Sequence, residues 1–455
     1  MATTTASSRH ARARPPRPGP TTSRVLGAVA QLLIFTGAAA VIGLWWSDTT
    51  SVVGLSGWLT DAGRVTGLLA GYACAVLLAL MSRMPVLERT VGSDRLARWH
   101  ALGGRYTISL TLAHAVLITL GYAASAHAGV VEQATTLVLG YPDMLSATAG
   151  LALLLATGVI SARAARRRLS YETWHYLHFA TYLAIFLAFS HQLSNGADFV
   201  GHRPAQLAWY ALYIGVAALL VWYRFLTPLR RGLRHRLTVT EVRPEAPGVV
   251  SVLMTGLHLD ELGARPGQFF RWRFLAPGMW WTANPYSLSA PPDRGPLRIT
   301  VKAVGRHSEA LARLRPGTRV WAEGPYGAFT AARRTSSKVL LLAGGVGITP
   351  LLALFETLPG DVTLLYRARR PQDLALRGEI DAIAVRRGAA VHYVVDEPAG
   401  HASPLTADAL TALVPDLSER DVYLCGPPGM TSAAIPALRR AKVSRRRIHH
   451  ESFAL

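Results

Sequence analysis

Hydrophobic positions along the chain fall into two regimes. Up to about residue 228 they form long runs, and beyond Arg236 they alternate with polar residues in short stretches punctuated by Gly and Pro. Six runs approach the roughly 20 residues an α-helix needs to cross a hydrocarbon core. They lie at Val25 to Trp46, Arg64 to Met81, Trp99 to Ala123, Met144 to Ala162, Tyr171 to Leu193 and Ala205 to Leu226. The first is too long, and too poor in a small-residue cleavage site, for a secretory leader, so it reads as a span. In the second half, RLTVTEV, GVVSVLM, QFFRWRF and LRITVKAV have the character of short antiparallel strands. From Lys338 the pattern changes again, to the apolar strand KVLLLAG, a glycine turn and the helical ITPLLALFETL. DVTLLYRA, PQDLALRGEIDAIAV, AVHYVVD and DVYLCG then continue the alternation of strand and helix that predicts a parallel sheet.

The predicted architecture is therefore a membrane α-helical bundle of six spans, an antiparallel β-barrel and an α/β parallel-sheet domain. The corresponding boundaries are a basic tail at 1–24, then 25–228, 234–332 and 333–455.

Charge fixes an expected orientation. The net charge of +21 invites a nucleic-acid reading, but the arginines sit where membrane topology would put them. The tail carries Arg9, Arg12, Arg14 and Arg17, the second loop Arg83, Arg89, Arg95 and Arg98, and the fourth Arg163, Arg166, Arg167 and Arg168. The first and third loops have no Lys or Arg, and the fifth has only Arg203. The positive-inside rule then places both termini in the cytoplasm of a multi-pass protein of the plasma membrane, and leaves no need for a nucleic-acid partner.

Within the spans the conspicuous residues are histidines. WHALGGRYTISLTLAH holds His100 and His114, and the fifth run holds His175, His178 and His191. Polar side chains in hydrocarbon need partners. His100 and His114, fourteen residues apart, share a helix face to within about 40° and are separated by roughly 21 Å. With both spans running outward, His100 pairs with His178 at the inner level and His114 with His191 at the outer. Two such imidazole pairs are what two b-type haems require. His178 and His191 are thirteen apart, which leaves them about 140° out of phase on a straight helix, so that helix must bend. His175, one turn earlier, is the rival inner ligand. The only cysteines are Cys74 and Cys425, too few for an ordinary iron–sulfur cluster or a disulfide framework. His127 and His202 face outward and read as solvated.

In AGGVGITP, Gly344, Gly345 and Gly347 stand where a strand ends and a helix begins, so backbone amides there can approach a pyrophosphate. Upstream stand NPYSLS (284–289), VKAVGRHS (301–308) and EGPYGAFT (323–330), and downstream CGPPGM (425–430). After the second parallel strand comes YRARRPQD, with Arg367, Arg369 and Arg370 suited to a 2′-phosphate and no acidic residue directly at that strand end. This favours NADPH, with NADH the alternative.

The ordered motifs over roughly 235–455 resemble the ferredoxin–NADP reductase superfamily. The membrane half joined to them looks like the ferric reductase and NADPH oxidase family. The resemblance implies FAD on the barrel, a nicotinamide nucleotide on the parallel sheet, and two haems in the bundle. It also implies that Tyr286 lies against the isoalloxazine, that Ser287 hydrogen-bonds the flavin, and that Ser308 with the amides around Gly305 meets the FAD pyrophosphate. The family often has Arg or His where this chain has Asn284, and Arg271, Arg273 or Arg306 are candidates to replace that contact. Gly344, Gly345, Gly347 and Thr349 would cradle the dinucleotide, and Cys425 and Gly426 would approach the nicotinamide. Phe453 would cover the flavin. No side chain is expected to act as acid, base or nucleophile. The implied acceptor is extracytoplasmic: the short loop SNGADFVGHRP suits a ferric chelate, with oxygen or a redox partner protein as alternatives.

Overall fold

The computed structural model describes residues 20–49, 51–162, 169, 171–396 and 405–452, which form two compact units, Met1–Arg224 and Phe225–Leu455. The arginines of the basic tail, Arg163 and Arg166 to Arg168 of the fourth loop, and Phe453 lie outside the described residues.

The first unit is helical. Its elements are α1 (Pro20–Asp48), α2 (Gly54–Leu80), the short α3 (Pro85–Thr90), α4 (Ser93–Ala126), α5 (Val130–Gly140) and α6 (Met144–Ser161). Three short helices follow, α7 (Tyr171–His178), α8 (Ala180–Leu187) and α9 (Phe189–Asn195), before α10 (Arg203–Leu220). The first unit ends at Arg224, within a π-helical turn, Val221–Leu226. Exposed Leu32, Leu33, Phe35, Leu207 and Ile214 give these helices apolar outer faces, as lipid demands. Among the described residues five unbroken stretches are long and apolar enough to cross a membrane: Gly27–Asp48, Gly54–Leu80, Arg95–Ala126, Met144–Ser161 and Arg203–His235.

The fifth of the expected runs differs from the other five in not forming one continuous helix. The run from Tyr171 is interrupted at Phe179 and at Ala188, and none of its three pieces exceeds 8 residues. At the first interruption the amides of Phe179 and Tyr182 reach carbonyls three residues back, those of Tyr176 and Phe179. Such tightened turns re-phase the helix. At the far end of the bundle Arg64 gathers three carboxylates, Asp48 at 3.1 Å, Asp61 at 2.9 Å and Asp198 at 2.7 Å, joining the end of α1, α2 and the loop before α10.

The second unit begins with α11 (Thr227–His235), followed by an antiparallel sheet: β1 (Leu237–Ala246), β2 (Val249–Thr255), β3 (Phe269–Phe274), β4 (Asn284–Ser287), β5 (Leu297–Lys302) and β6 (Arg319–Tyr326), ordered β4-β3-β6-β1-β2-β5. Period-two alternation turns Phe270, Trp272 and Phe274 of β3 into its core. The expected barrel is not closed. β4 has only 4 residues, and the two edge strands approach through the single bridge Leu288 to Ile299, too little backbone for a continuous ladder.

The parallel sheet comprises β7 (Lys338–Gly344), β8 (Asp361–Ala368), β9 (Val391–Val395), β10 (Asp421–Gly426) and β11 (Ile448–Ser452), ordered β11-β10-β7-β8-β9. Helices cover both faces. Val339, Leu341 and Ala343 pack with α13 (Ile348–Thr357) and α14 (Arg377–Arg387), and Leu340 and Leu342 with α15 (Ala407–Leu413) and α16 (Pro428–Arg440). That two-sided burial is why β7 reads as a continuous apolar run. The helix numbered α12 is the five-residue Arg306–Ala310.

The two sheets share a core, in which Val249 and Phe329 join the α13 face of the parallel sheet. They are also clamped by Arg298 of β5, which reaches Glu379 of α14 through two hydrogen bonds of 2.7 and 2.8 Å and Ser289 through a third. Arg298 is buried and Glu379 is about a third exposed. Losing one partner of a fully buried pair costs about 3–5 kcal/mol, and solvent at Glu379 reduces that to roughly 2. Arg298→Ala is expected to lower the unfolding temperature of the second unit, while Glu379→Gln, which keeps one acceptor, costs less; thermal unfolding followed by tryptophan fluorescence checks the order.

Candidate cofactor sites

The helical unit brings four of the five membrane histidines into two pairs. The rings of His100 and His178 have centres 5.9 Å apart, and those of His114 and His191 are 6.4 Å apart. Both α4 residues come from one unbroken helix, whereas His178 ends α7 and His191 lies in α9. The interruptions at Phe179 and Ala188 therefore absorb the phase difference that the spacing of His178 and His191 creates. The His175 ring lies against Phe179 at 4.6 Å and Trp174 at 6.3 Å.

The α4 rings are oriented from α2. His114 Nδ1 is 2.8 Å from the carbonyl of Gly63, and His100 Nδ1 is 3.3 Å from that of Leu77. A carbonyl only accepts, so each Nδ1 carries the proton and each Nε2 keeps its lone pair. His178 stacks on Trp174 at 5.1 Å, and the Trp174 indole donates to Ser161 Oγ at 3.2 Å. Ser161 Oγ is in turn 3.4 Å from His178 Nδ1.

This geometry fits a metal held by one pair at each level. Two imidazoles bound on opposite sides of one metal at about 2 Å each have ring centres roughly 6 Å apart. Among the described residues no group of three or more His, Cys, Asp or Glu could hold a metal. Each pair supplies two imidazole donors from different helices.

In the second unit, the chain crosses from β9 on one side of β7 to β10 on the other, so the ends of β7 and β10 form the topological switch point where open parallel sheets bind ligands. The glycine turn is there. β7 ends at Gly344, Gly345–Gly347 forms a 3-10 turn, and α13 follows. Gly345 has φ +53° with open space where a side chain would stand. At Gly347 a Cβ would lie 2.2 Å from the Cys425 carbonyl oxygen, and at Gly344 it would lie 2.1 Å from Met430 Sδ. The glycines thus let the turn pack directly against the CGPPGM segment. Thr349 is buried, and its hydroxyl donates to the Val346 carbonyl at 3.0 Å, bracing the turn from within.

Cys425 is fully buried, in register with Ala343 on one side and Glu451 on the other. Burial, and then the Glu451 charge, push its thiol well above the ordinary range. Arg367, next to last in β8, is in register with Gly344 and donates Nε–H to Asp396 at 2.6 Å. Arg370 pairs with Asp373 through contacts of 3.1 and 2.9 Å, and Arg369 is exposed. Asp396 and Glu451 were not singled out by sequence reasoning. Each is brought in by the strand beside its partner's strand, and a sheet register is not written in local spacing.

On the antiparallel sheet, Tyr286 is half-buried with its hydroxyl pushed up to about 12 by burial. Its carbonyl accepts from the Trp272 indole at 2.9 Å. Next to it Ser287 is 4% exposed, and its Oγ has no hydrogen-bond partner. A buried hydroxyl without a partner carries a desolvation cost that a polar ligand would remove. Ser308 turns inward instead: its Oγ accepts from the amides of Val304 and Gly305 and donates to the Gly305 carbonyl. It shapes the loop, leaving exposed Gly305 as the part that a ligand can approach. Asn284 Nδ2 donates to His307 Nδ1 at 2.7 Å. Arg271 and Arg273 hold carbonyls of the 280–283 loop, so both are engaged at home.

A fold that places paired intramembrane histidines in one unit and a dinucleotide-type switch point in the other defines the class of membrane-embedded oxidoreductases. More particularly, residues 66–189 match the family of the ferric reductase like transmembrane component, and residues 341–435 match the oxidoreductase NAD-binding domain. The chain thus joins a ferric-reductase-like transmembrane component to a ferredoxin-reductase-type module of the kind that binds FAD and NAD(P)H. Similar curated proteins include the stachydrine N-demethylase reductase subunit Stc4 of Rhizobium meliloti, 32% identical over 46% of this chain and 64% of its own length. Another is the plasma membrane-associated coenzyme Q6 reductase PGA3 of Saccharomyces cerevisiae, 33% identical over 32% of this chain and 52% of its own length. The chain spans about half to two thirds of the relatives it matches. Among solved structures, the flavohem-like FAD/NAD binding domain of nitric oxide dioxygenase from Vibrio cholerae is 25% identical. It covers 48% of this chain and 99% of that one, with a TM-score of 0.41.

Gly347→Ala is expected to displace the Cys425 backbone, costing about 1–3 kcal/mol and weakening nicotinamide nucleotide binding at least tenfold, whereas Gly345→Ala meets only the strain of its positive φ, roughly 1 kcal/mol. Nucleotide titration by fluorescence, beside thermal unfolding, separates the two. For Cys425, the raised folded-state pKa means the folded protein holds its proton where the unfolded chain, ionising near about pH 8.5, releases it. This contribution to stability is complete below about pH 8.5 and is lost as pH rises toward the folded value. In a Cys74→Ser background, native protein should resist iodoacetamide at pH 9 while unfolded protein is labelled.

Proposed function

We propose that this protein carries electrons across a membrane, from cytoplasmic NAD(P)H to an extracytoplasmic acceptor. The observation that carries this reading is the two histidine pairs that α4 makes with α7 and α9, in one chain with a dinucleotide-type switch point. On this reading, residues 25–228 hold two b-type haems, 234–332 hold FAD and 333–455 hold the nicotinamide nucleotide, behind a cytoplasmic tail at 1–24. His100 with His178 serve the inner haem and His114 with His191 the outer. Both termini face the cytoplasm of the plasma membrane, as the arginine distribution supports.

When bound, the flavin would supply the exchange between a two-electron hydride donor and single electrons, and the haem irons would supply one-electron carriers at two depths. The chain's own residues bind, orient and exclude water. Ser287 offers its unpartnered hydroxyl to the flavin, with Tyr286 against the ring. The Gly305 loop, shaped by Ser308, and the turn of Gly344, Gly345 and Gly347 braced by Thr349 accept phosphates. Cys425 and Gly426 flank the nicotinamide, Cys425 as a protonated, uncharged wall, and Phe453 serves as the cover. Arg367, held by Asp396, favours NADPH by offering a guanidinium to a 2′-phosphate.

The acceptor that best suits the short outer loop is chelated ferric iron. A second reading, electron delivery to an extracytoplasmic redox partner protein, is favoured by the similarity to reductase subunits; superoxide formation from oxygen is the third. Ferrous chelate formed without oxygen separates the first from the third.

The test is an NADPH-reduced minus oxidised visible spectrum of purified protein. Wild type should give a double b-type signal, and His114→Ala and His178→Ala should each lose about half of it. A flavin signal without haem sinks the electron path.

A further inference from the structure

The strongest unexplained feature is how a side chain from α4 reaches a backbone carbonyl in the middle of α2. In an α-helix the carbonyl of residue 63 already accepts from the amide of residue 67, and the Cβ of residue 67 tilts toward the N-terminus over that bond. Residue 67 is glycine. A Cβ built on it would lie 2.5 Å from His114 Nδ1 and 2.7 Å from its Cε1. With no side chain there, the same imidazole sits 2.8 Å from the Gly63 oxygen. Gly63 itself admits α4, since its Cβ would lie 2.8 Å from the Ile118 side chain and 3.0 Å from the Ile118 amide.

The other histidine of α4 uses a different device. His100 meets Leu77, in the last turn of α2, where the Met81 amide turns to Leu78 and Ala79 instead. That carbonyl is one of those a helix end leaves over, so it needs no glycine to uncover it. The two histidines of α4 therefore depend on α2 in unequal ways.

We infer that Gly67 is the positioning residue for the His114–His191 site: it opens the Gly63 carbonyl to the His114 Nδ1 proton, and so fixes the tautomer whose Nε2 faces away from α2 toward a metal. The inference rests on the two-haem reading. It adds that the outer site can be switched off from α2 without touching a ligand, and that the inner site cannot be reached by the same route. Partners of this kind to metal-bound imidazoles change metal affinity by about 10–100-fold.

The test compares full-length wild type, Gly67→Ala and Gly43→Ala in detergent. Gly43 is the control because nothing lies within 4 Å of a Cβ built there. The readouts are haem per flavin and a redox titration resolving the two haems. Gly67→Ala should lose up to half of the haem, or keep it with one midpoint potential moved by about 60 mV or more, a tenfold change for one electron. The second haem and Gly43→Ala should match wild type. Equal disturbance of both haems would assign Gly67 to helix packing alone and overturn the inference, as would two unchanged potentials at full haem content. Should Gly67→Ala fail to accumulate, the imidazole ring modes of histidine-labelled wild type decide. Reduced-minus-oxidised infrared spectra should show one strongly bonded Nδ1–H beside weaker ones, and uniform weak bonding overturns the inference. Wild type lacking haem would instead defeat the reading beneath it.

Discussion

A histidine in hydrocarbon that commits Nδ1 to a protein carbonyl leaves Nε2 available for a second partner. That constraint organises the helical half. His100 and His114 give Nδ1 to carbonyls of α2, His178 leans on Trp174 and Ser161, and the helix opposite α4 is broken so that its two histidines meet those of α4. Closeness of α2 and α4 is therefore a condition of the site and not only of packing. Glycines at the contact supply the closeness, because lipid gives no hydrophobic advantage to helix association and backbone proximity must come from small residues.

The second unit answers a different constraint, that of a parallel sheet covered by helices on both faces. The central strands β7, β8 and β10 can be continuous and apolar because they are almost wholly buried, and the polar chemistry is pushed to the strand ends. There the backbone of one turn is pressed against the backbone of another, Gly347 on Cys425, while Arg367 and Asp396 face each other across neighbouring strand ends. The Arg298 clamp and the shared core around Phe329 hold the antiparallel sheet to this edge. The orphan hydroxyl of Ser287 and the bonded hydroxyl of Ser308 show how two serines of one sheet are put to opposite uses by local backbone shape.

Much of this was legible in the chain. Long apolar runs, short alternating strands and the strand-turn-helix of KVLLLAGGVGITP all report local periodicity, which depends on neighbours in sequence. The pairing of histidines by depth was legible for the same reason, since helix rise converts residue number into height. Angular position was not. Spacing left His178 and His191 out of phase and His175 in contention, and only the turns at Phe179 and Ala188 decided which rings meet.

By itself, then, the sequence determined the two halves, the order of their elements, the heights of the membrane histidines and the glycine turn. Tertiary structure alone decided that the fifth run is segmented, that the antiparallel sheet stays open, that Asp396 and Glu451 join the nucleotide end, and that α2 orients the rings of α4. The physical reason is common to all four. Hydrophobic period and helix rise are properties of a single segment, whereas register, helix phase and access to a carbonyl are settled only when a second segment packs against the first.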